Sequence, residues 1–561
     1  MKPVFKEYNQ GQGTIFPENL GDYIPENHAV RLVSEVVDRL DIQPIMATYK
    51  GGGTSSYHPR MMLKVLFYAY LTNIFSSRKI EKALKENIHF MWLSGKQFPD
   101  FRTVNDFRSK HLKNQIQQLF SSIVMMLAEM GMVDIKRVAY TDGTKLEANA
   151  NRYTFVWRGT ARYHKERLEV RLRKVLEEID AQIKEDSREE NAESFDSHRI
   201  DREFLSRKID EINRRARENS RLTPKQKQKI QKRLENIKTR ELPRLERYEE
   251  QLGTMGEGRN SYSKTDTTAT FMRMKEDHMK NGQLKAAYNV QISTQEQVIT
   301  HFGIYQNRTD TGTYIDHLKR YKQSYGVYPK TAVADAGYGS DENYEFLERN
   351  GIEAYVKYNW FHKEQKRKFR TDISRVSNLY YNEKGDYFIC PIGQRMRLVS
   401  RVNSTTENGY EQEISVYQAR NCQGCPMRGA CHKSKGNRRI HVNLKLLIHK
   451  QKAKKRLLSE QGVEYRKKRS VEPESVFGQI KQNKGFKRFT LRGLPKVEIE
   501  FGLVAIAHNL QKLWKWLLEP DNREKLFHLF AGFSSKKQTF ELFRKIVTAF
   551  FGQMKNQVQI C

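Results

Sequence analysis

KAAYNVQIST (285–294) and QVITHFGIYQ (297–306) read as two adjacent strands. TGTYIDHLKRYKQSYG (311–326) reads as a helix and KTAVADAGYG (330–339) as a buried strand ending at Asp335. ENYEFLERNG (342–351) is a helix with a glycine stop, and IEAYVKY (352–358) is another strand. Upstream, KRVAYTDGTKLEANA (136–150) opens with a strand in which Val138 and Tyr140 alternate with Ala139 and Thr141; Asp142-Gly143 is expected to end it. Together these give a mixed α/β core, interrupted once after its first strand.

The interruption, 161–255, spaces Leu168, Leu172, Val175, Ile179 and Ile183 three or four residues apart among charged residues, and Thr223-Pro224 is a helix start. A long helical hairpin or short coiled coil is expected there. Residues 1–130 look helical: HPRMMLKVLFYAYL (58–71) places Met62, Leu63, Leu66, Phe67 and Tyr70 at helical spacing. Short basic helices with tight turns suit either a helix-turn-helix-like DNA-binding unit or a plain bundle. The chain thus divides into 1–130 (helical), 131–160 (first core strand), 161–255 (helical insertion), 256–360 (core continued), 361–465 (basic, cysteine-containing insertion) and 466–561 (an acidic helix start and C-terminal helices).

Charge narrows the function. The chain has 561 residues, with 100 Lys and Arg against 66 Asp and Glu, a formal net charge of +34. Such an excess favours a polyanion, and nucleic acid is the usual one, because neutralised phosphates release condensed counterions. Uncharged runs such as 65–77 and 114–128 fall short of the ~18–20 residues that span a bilayer. No signal peptide is evident at the N-terminus, and five cysteines make no disulfide scaffold, so an intracellular protein is expected.

Asp142 and Asp335 each stand at an expected strand end before small turn residues, where a carboxylate projects into a crevice beyond the sheet. Paired carboxylates suit Mg²⁺, a hard cation that takes oxygen ligands. The third element is VEPESVFGQIKQNKGFKRF (471–489). Glu474, Phe477 and Lys481 share one helix face, so Phe477 can pack on the sheet while Glu474 points to the metals and Lys481 reaches a phosphate. Glu472, on the other side of Pro473, stays an alternative.

AYTDGTK (139–145), AVADAGYGS (332–340) and the helix-borne acid resemble the DDE triad of bacterial insertion-sequence transposases. The sheet order is similar to their ribonuclease-H-like core, and HPRMMLKVLFYAYL and FPDFRTVNDFR (98–108) resemble their helical DNA-binding region. In the signature the Glu precedes Phe by three residues and Lys by seven, which selects Glu474; Tyr465 and Lys468 hold the upstream signature offsets relative to Glu472. The resemblance implies metal-dependent strand cleavage and transfer on double-stranded DNA at the element's ends and at a target. Two Mg²⁺ (or Mn²⁺) ions would be held by Asp142, Asp335 and Glu474, and water or a 3′-hydroxyl would be the nucleophile. It also implies a homodimer on DNA and a cytoplasmic, nucleoid-associated bacterial protein. Arg469, Lys481, Lys484, Lys487 and Arg488 are the expected DNA contacts. A nuclease of the same fold that never joins strands, or a non-catalytic DNA-binding relative, are the alternatives.

Cys390, Cys422, Cys425 and Cys431, with one C-x2-C pair, suit structural Zn²⁺, and related transposases carry a similar cluster. From Lys433 to Arg469, 14 Lys and Arg face two acids, which suggests a phosphate-tracking surface. Trp157, Tyr288, Tyr338 and Trp360 are expected to pack rather than to stack on an unpaired base.

Overall fold

In the computed structural model, which describes residues 19–50, 55–185, 202–274, 282–406 and 408–522, the core strands are β1 (Val138–Glu147), β2 (Leu284–Gln295), β3 (Val298–Tyr305), β4 (Thr331–Ala334) and β5 (Glu353–Val356). They lie in the order β3-β2-β1-β4-β5. The β2–β3 pair is antiparallel, whereas β1–β4 and β4–β5 are parallel. β3 and β4 are buried along their whole length, as expected of strands covered on both faces.

The chain forms two units, one of Met1–Leu146, Asn289–Tyr305 and Thr309–Cys561, the other of Glu147–Tyr288 with Gln306–Arg308. In the first, helices Tyr314–Tyr325 and Asp341–Arg349 bury Tyr314, Leu318, Tyr344 and Leu347 with Val138, Tyr140 and Val333 of the sheet. Helix Leu494–Leu518, buried from Ile499 to Leu510, packs against β3 and helices Pro59–Leu71 and Ile116–Glu129. A Cβ on Gly502 would overlap Ile116 Cγ1, so the glycine permits this close approach. The N-terminal helices therefore share a core with the C-terminal helix.

Glu296 and Gln297, at φ 51° and 59°, form the two-residue turn between β2 and β3, where Asn and Gly are the usual residues. The strain is offset from outside the hairpin. Glu472 accepts the Gln297 N–H at 2.8 Å, and the His508 Nε2–H donates to the Gln297 carbonyl at 2.8 Å. Burial lowers the His508 pKa to about 4, which suits a neutral ring in that role.

The cysteine-bearing segment is a five-stranded antiparallel sheet, from Tyr380–Asn382 through Tyr387–Ile389, Arg395–Thr405 and Glu411–Ala419 to Arg439–Val442, over a small core of Phe388, Met396, Tyr417 and Ile440. Residues 444–465 leave this module. Helix Leu444–Leu458 gives Ala453 and Leu457, and helix Glu460–Val471 gives Tyr465, to the core around β4 and β5.

The second unit differs from the expected hairpin. It holds helices Arg158–Glu185, Arg202–Glu218, Pro224–Asn236 and Leu242–Met255 around Leu168, Leu172, Ile179, Leu205, Ile212, Leu234 and Leu245. Thr223 caps its helix through a full capping box with Gln226, as its position before Pro224 suggests. From Pro224 the helix runs on without a break through a π-helical turn, Ile237–Glu241, to Met255. In the same unit, Thr270–Arg273 pairs antiparallel with Leu284–Ala287.

Candidate active site

Asp142 is not at the end of its strand: β1 runs on to Glu147. What ends is its partner. The parallel pairing of β1 with β4 stops at Thr141↔Ala334, so Asp142 and Asp335 are the next residues on two neighbouring strands. Such strands lie about 4.8 Å apart. Asp142 is only 5% exposed, and its Oδ1 accepts the Gly143 N–H at 2.8 Å. Asp335 caps the short turn Ala336–Tyr338, its Oδ1 accepting the Gly337 N–H at 2.8 Å.

A further acid, Asp310, comes from the loop after β3. Its Oδ1 accepts from Asn289 Nδ2 at 2.8 Å and from Gln291 Nε2 at 2.9 Å, both on β2. A Cβ on Gly143 would overlap Gln291 Nε2 and lie 2.6 Å from Asp310 Oδ1. Gly143 is thus required by crowding beside Asp142, not by a turn. The Tyr338 hydroxyl, fully buried, donates to Gln291 Oε1. Burial, then the charges of Asp310, Asp142 and Asp335, push that phenol well above its ordinary pKa, so all three acids act on one hydroxyl.

The two glutamates part company. Glu472 has ψ −88° and lies between helix Glu460–Val471 and the short helix Pro473–Gly478. It is 6% exposed and turned to the β2–β3 turn; burial raises its pKa against the pull of the Gln297 N–H. The Glu474 side chain is 49% exposed, and its Oε1 accepts from Arg469 Nη2 at 2.7 Å. The same guanidinium, nine-tenths buried, has Nη1 3.9 Å from Asp142 Oδ2. Arg469 Nε has no hydrogen-bond partner among the described residues. Lys357, just beyond β5, is held below the ordinary lysine range, first by burial and then by Arg469, with Asp335 and Glu474 opposing. Glu474 thus faces the edge that carries Asp142 and Asp335, and Glu472 does not.

The expected DNA contacts divide in the same way. Arg469 is engaged with the acids. Lys481 is buried, within a π-helical turn over Gln479–Asn483. Lys484 is buried too, its Nζ donating to the Leu71 carbonyl at 3.3 Å, and burial next to Lys515 lowers its pKa to about 8. Neither lysine presents a surface to a phosphate in this arrangement. Lys487 and Arg488 are exposed.

Cys390, Cys422, Cys425 and Cys431 line one small cavity of about 20 Å³, together with Arg438. Arg438 Nη1 donates to Cys431 Sγ at 2.8 Å, and no disulfide joins the thiols. Among the described residues, no three His, Cys, Asp or Glu side chains stand at ligand spacing around one point, here or at the acids. Among the four aromatics, Tyr288 and Tyr338 are buried, Trp157 packs on Phe271, and Trp360 is half exposed beside Lys363. Asp310 escaped the sequence reading because its loop, QNRTDTG, has the composition of any polar connection.

Among the described residues, no helix is long and apolar enough to cross a membrane. No curated protein and no solved structure matches the chain. Residues 18–110 match a transposase domain (DUF772), a span that ends in the turn Phe107–His111, ahead of helix Ile116–Glu129. Residues 389–514 match a transposase DDE domain, from the cysteine-bearing sheet through Glu474 into the C-terminal helix. These two matches, in this order along the chain, support a DDE-type transposase of an insertion sequence.

Proposed function

We propose that the chain cuts double-stranded DNA at the ends of an insertion sequence and transfers the freed 3′-hydroxyl to a target strand. The observation that carries this reading is the placing of Asp142 and Asp335 side by side where β1 and β4 part, with Arg469 linking Asp142 to Glu474. The mixed sheet, with β1, β4 and β5 parallel and β3 antiparallel to β2, is compatible with a ribonuclease-H-like core. All three acids offer only carboxylate oxygens, a donor set that suits Mg²⁺ or Mn²⁺. Two such ions, when bound, activate the attacking oxygen and stabilise the leaving one. Within the chain, Asp142 and Asp335 fix the position of negative charge at the sheet edge, and Glu474 completes it from the helical side. Arg469 holds Glu474 in place and is a cation within reach of a phosphodiester. Water or a 3′-hydroxyl attacks, so no covalent link between protein and DNA forms.

Lys487 and Arg488 would follow the DNA backbone. The four cysteines would hold a structural Zn²⁺, and the chain would act as a homodimer that keeps two ends together. The test is a labelled DNA carrying the element ends and a free 3′-hydroxyl, incubated with Mg²⁺. Joined products are expected, and Asp142→Asn, Asp335→Asn and Glu474→Gln should each abolish them. Cleavage without joining would reduce the reading to a nuclease; full activity of all three variants would end it.

A further inference from the structure

We propose that the outward face of the cysteine-bearing sheet docks on the backbone of double-stranded DNA through Arg395, Arg397 and Arg439. One row runs straight across all five strands: Asn382, Tyr387, Arg397, Gln418 and Arg439 are register partners in turn. Side chains alternate between the two faces of a strand, so this row points away from Tyr381, Phe388, Leu398, Tyr417 and Ile440, which close the small core beneath. Arg395 shares the outward face, its guanidinium 4.8 Å from the centre of the Tyr387 ring. Arg439 Nε donates to Gln418 Oε1 at 2.6 Å. All three arginines are exposed, and Arg395 and Arg397 lie outside the basic run 433–469.

The face carries charge of one sign. Glu411 and Glu413, the acids of these strands, share the parity of Ser415 and Tyr417 and so belong to the other face. Among the described residues none of the three arginines forms an ion pair, whereas Arg401, on the opposite face, stands 3.8 Å from Glu413 and 3.9 Å from Asp386. Guanidinium groups match phosphate with paired donors, and the amides and phenol of the row can donate to further phosphate oxygens. Arg397 and Arg439 stand two strands, about 10 Å, apart, so they meet different phosphates. A second observation points the same way. His441, next on this face after Arg439, lines a cavity of about 450 Å³ with Arg370, Lys450 and Lys454 against one acid, Glu364. Lys454 answers Glu364 at 3.5 Å. Lys450 lies 5.8 Å from the centre of the Tyr358 ring and has no hydrogen bond or ion pair among the described residues; burial lowers its pKa against the pull of Glu364. A partly buried ammonium without a counter-charge is a place for an anion.

The test is duplex binding by the full chain without divalent ions, which keeps it apart from the cleavage reading above. A fluorescently labelled duplex of arbitrary sequence is titrated at stepped KCl, because backbone contacts carry no sequence information. The variants are Arg395→Gln/Arg397→Gln/Arg439→Gln, Arg395→Lys/Arg397→Lys/Arg439→Lys, and Arg401→Gln. Each lost phosphate contact lowers the slope of log affinity against log salt by about 0.9, so the triple Gln variant should lose about 2–3 in slope and roughly tenfold or more in affinity at low salt. The triple Lys variant should keep most of the slope, since the charge remains, and Arg401→Gln should match the parent. Melting of the triple Gln variant should stay close to the parent's, because the three side chains are exposed. Parent-like slope and affinity in the triple Gln variant would overturn the proposal. So would an equal loss in the triple Lys variant or in Arg401→Gln, and so would a loss confined to a labelled single strand. Failed strand transfer with these binding results intact would end the cleavage reading alone.

Discussion

Glu472 and Glu474 are two residues apart, and the structure gives them different work, which a pair of substitutions separates. Glu472→Ala removes the acceptor of the Gln297 N–H at the turn whose residues sit at φ 51° and 59°. A hydrogen bond to a charged acceptor is lost and a buried N–H is left unpaired, which costs about 2–3 kcal/mol. Left-handed backbone at residues other than glycine costs a further ~1–2 kcal/mol each, a strain that His508 and Lys512 alone must then hold. Glu472→Gln behaves differently. Its side-chain carbonyl still accepts from Gln297, and the burial that raises the Glu472 pKa no longer has a charge to penalise. At pH 7 the Gln variant should be at least as stable as the parent. The parent's carboxyl keeps its proton in the folded chain at pH values where the unfolded chain has released it. The resulting stability is present below the ordinary glutamate pKa and is lost as pH rises through the raised folded value; Glu472→Gln flattens that slope. Thermal melting at stepped pH from the ordinary glutamate value upward and amide exchange at Gln297 read these effects, while strand-transfer assays read the chemistry. Glu474→Gln should leave melting unchanged and abolish transfer. If Glu472→Gln, stable and folded, lost transfer as completely as Glu474→Gln, the assignment of the two acids would be refuted.

Three further outcomes follow from single contacts. Gly143→Ala forces a methyl onto Gln291 Nε2 and to within 2.6 Å of Asp310 Oδ1, so a loss of about 1–3 kcal/mol in thermal melting is expected, together with slower DNA cleavage. Lys484→Met replaces an ammonium whose pKa is lowered to about 8. Between that value and the ordinary lysine pKa the unfolded chain binds the extra proton, so the parent gains stability as pH rises from 8 and the Met variant does not, as melting at stepped pH will show. Purified chain should release about one Zn²⁺ per molecule to a chelating dye after the thiols are blocked, and Cys422→Ser should release far less.

The central strands were legible because burial on both faces leaves apolar runs that small and acidic residues cut off sharply, as in TAVADAG (331–337). The same punctuation misled at Asp142-Gly143. There the glycine answers a neighbour 148 residues away in sequence, the Gln291 amide, and β1 passes straight through it. Ideal helical spacing puts Lys481 on the face of Glu474; in the structure it stands in a π turn, where that spacing no longer applies, and is buried. Asp310 had no periodicity to reveal it; only the meeting of its loop with β2 gives it a role. The helical insertion was readable as amphipathic, but periodicity does not count helices; Thr223-Pro224 marks a true start, whereas Pro243 lies within a helix that runs on through a π turn to Met255.

The EPE run at 472–474 shows why local pattern could not choose the third acid. Pro473 starts a new helix, and the break in backbone at Glu472 sends the two carboxylates in different directions. Glu472, by gripping the β2–β3 turn, anchors the end of helix Glu460–Val471 against the sheet. That anchor sets where Arg469, three residues earlier, can stand, and Arg469 in turn holds Glu474 beside Asp142. On the proposed reading, the buried acid thus positions the exposed one to which the chemistry is assigned. Loosening the anchor should therefore lower activity in proportion to the lost order at Gln297, whereas removing the charge at Glu474 should abolish activity in a fully ordered chain.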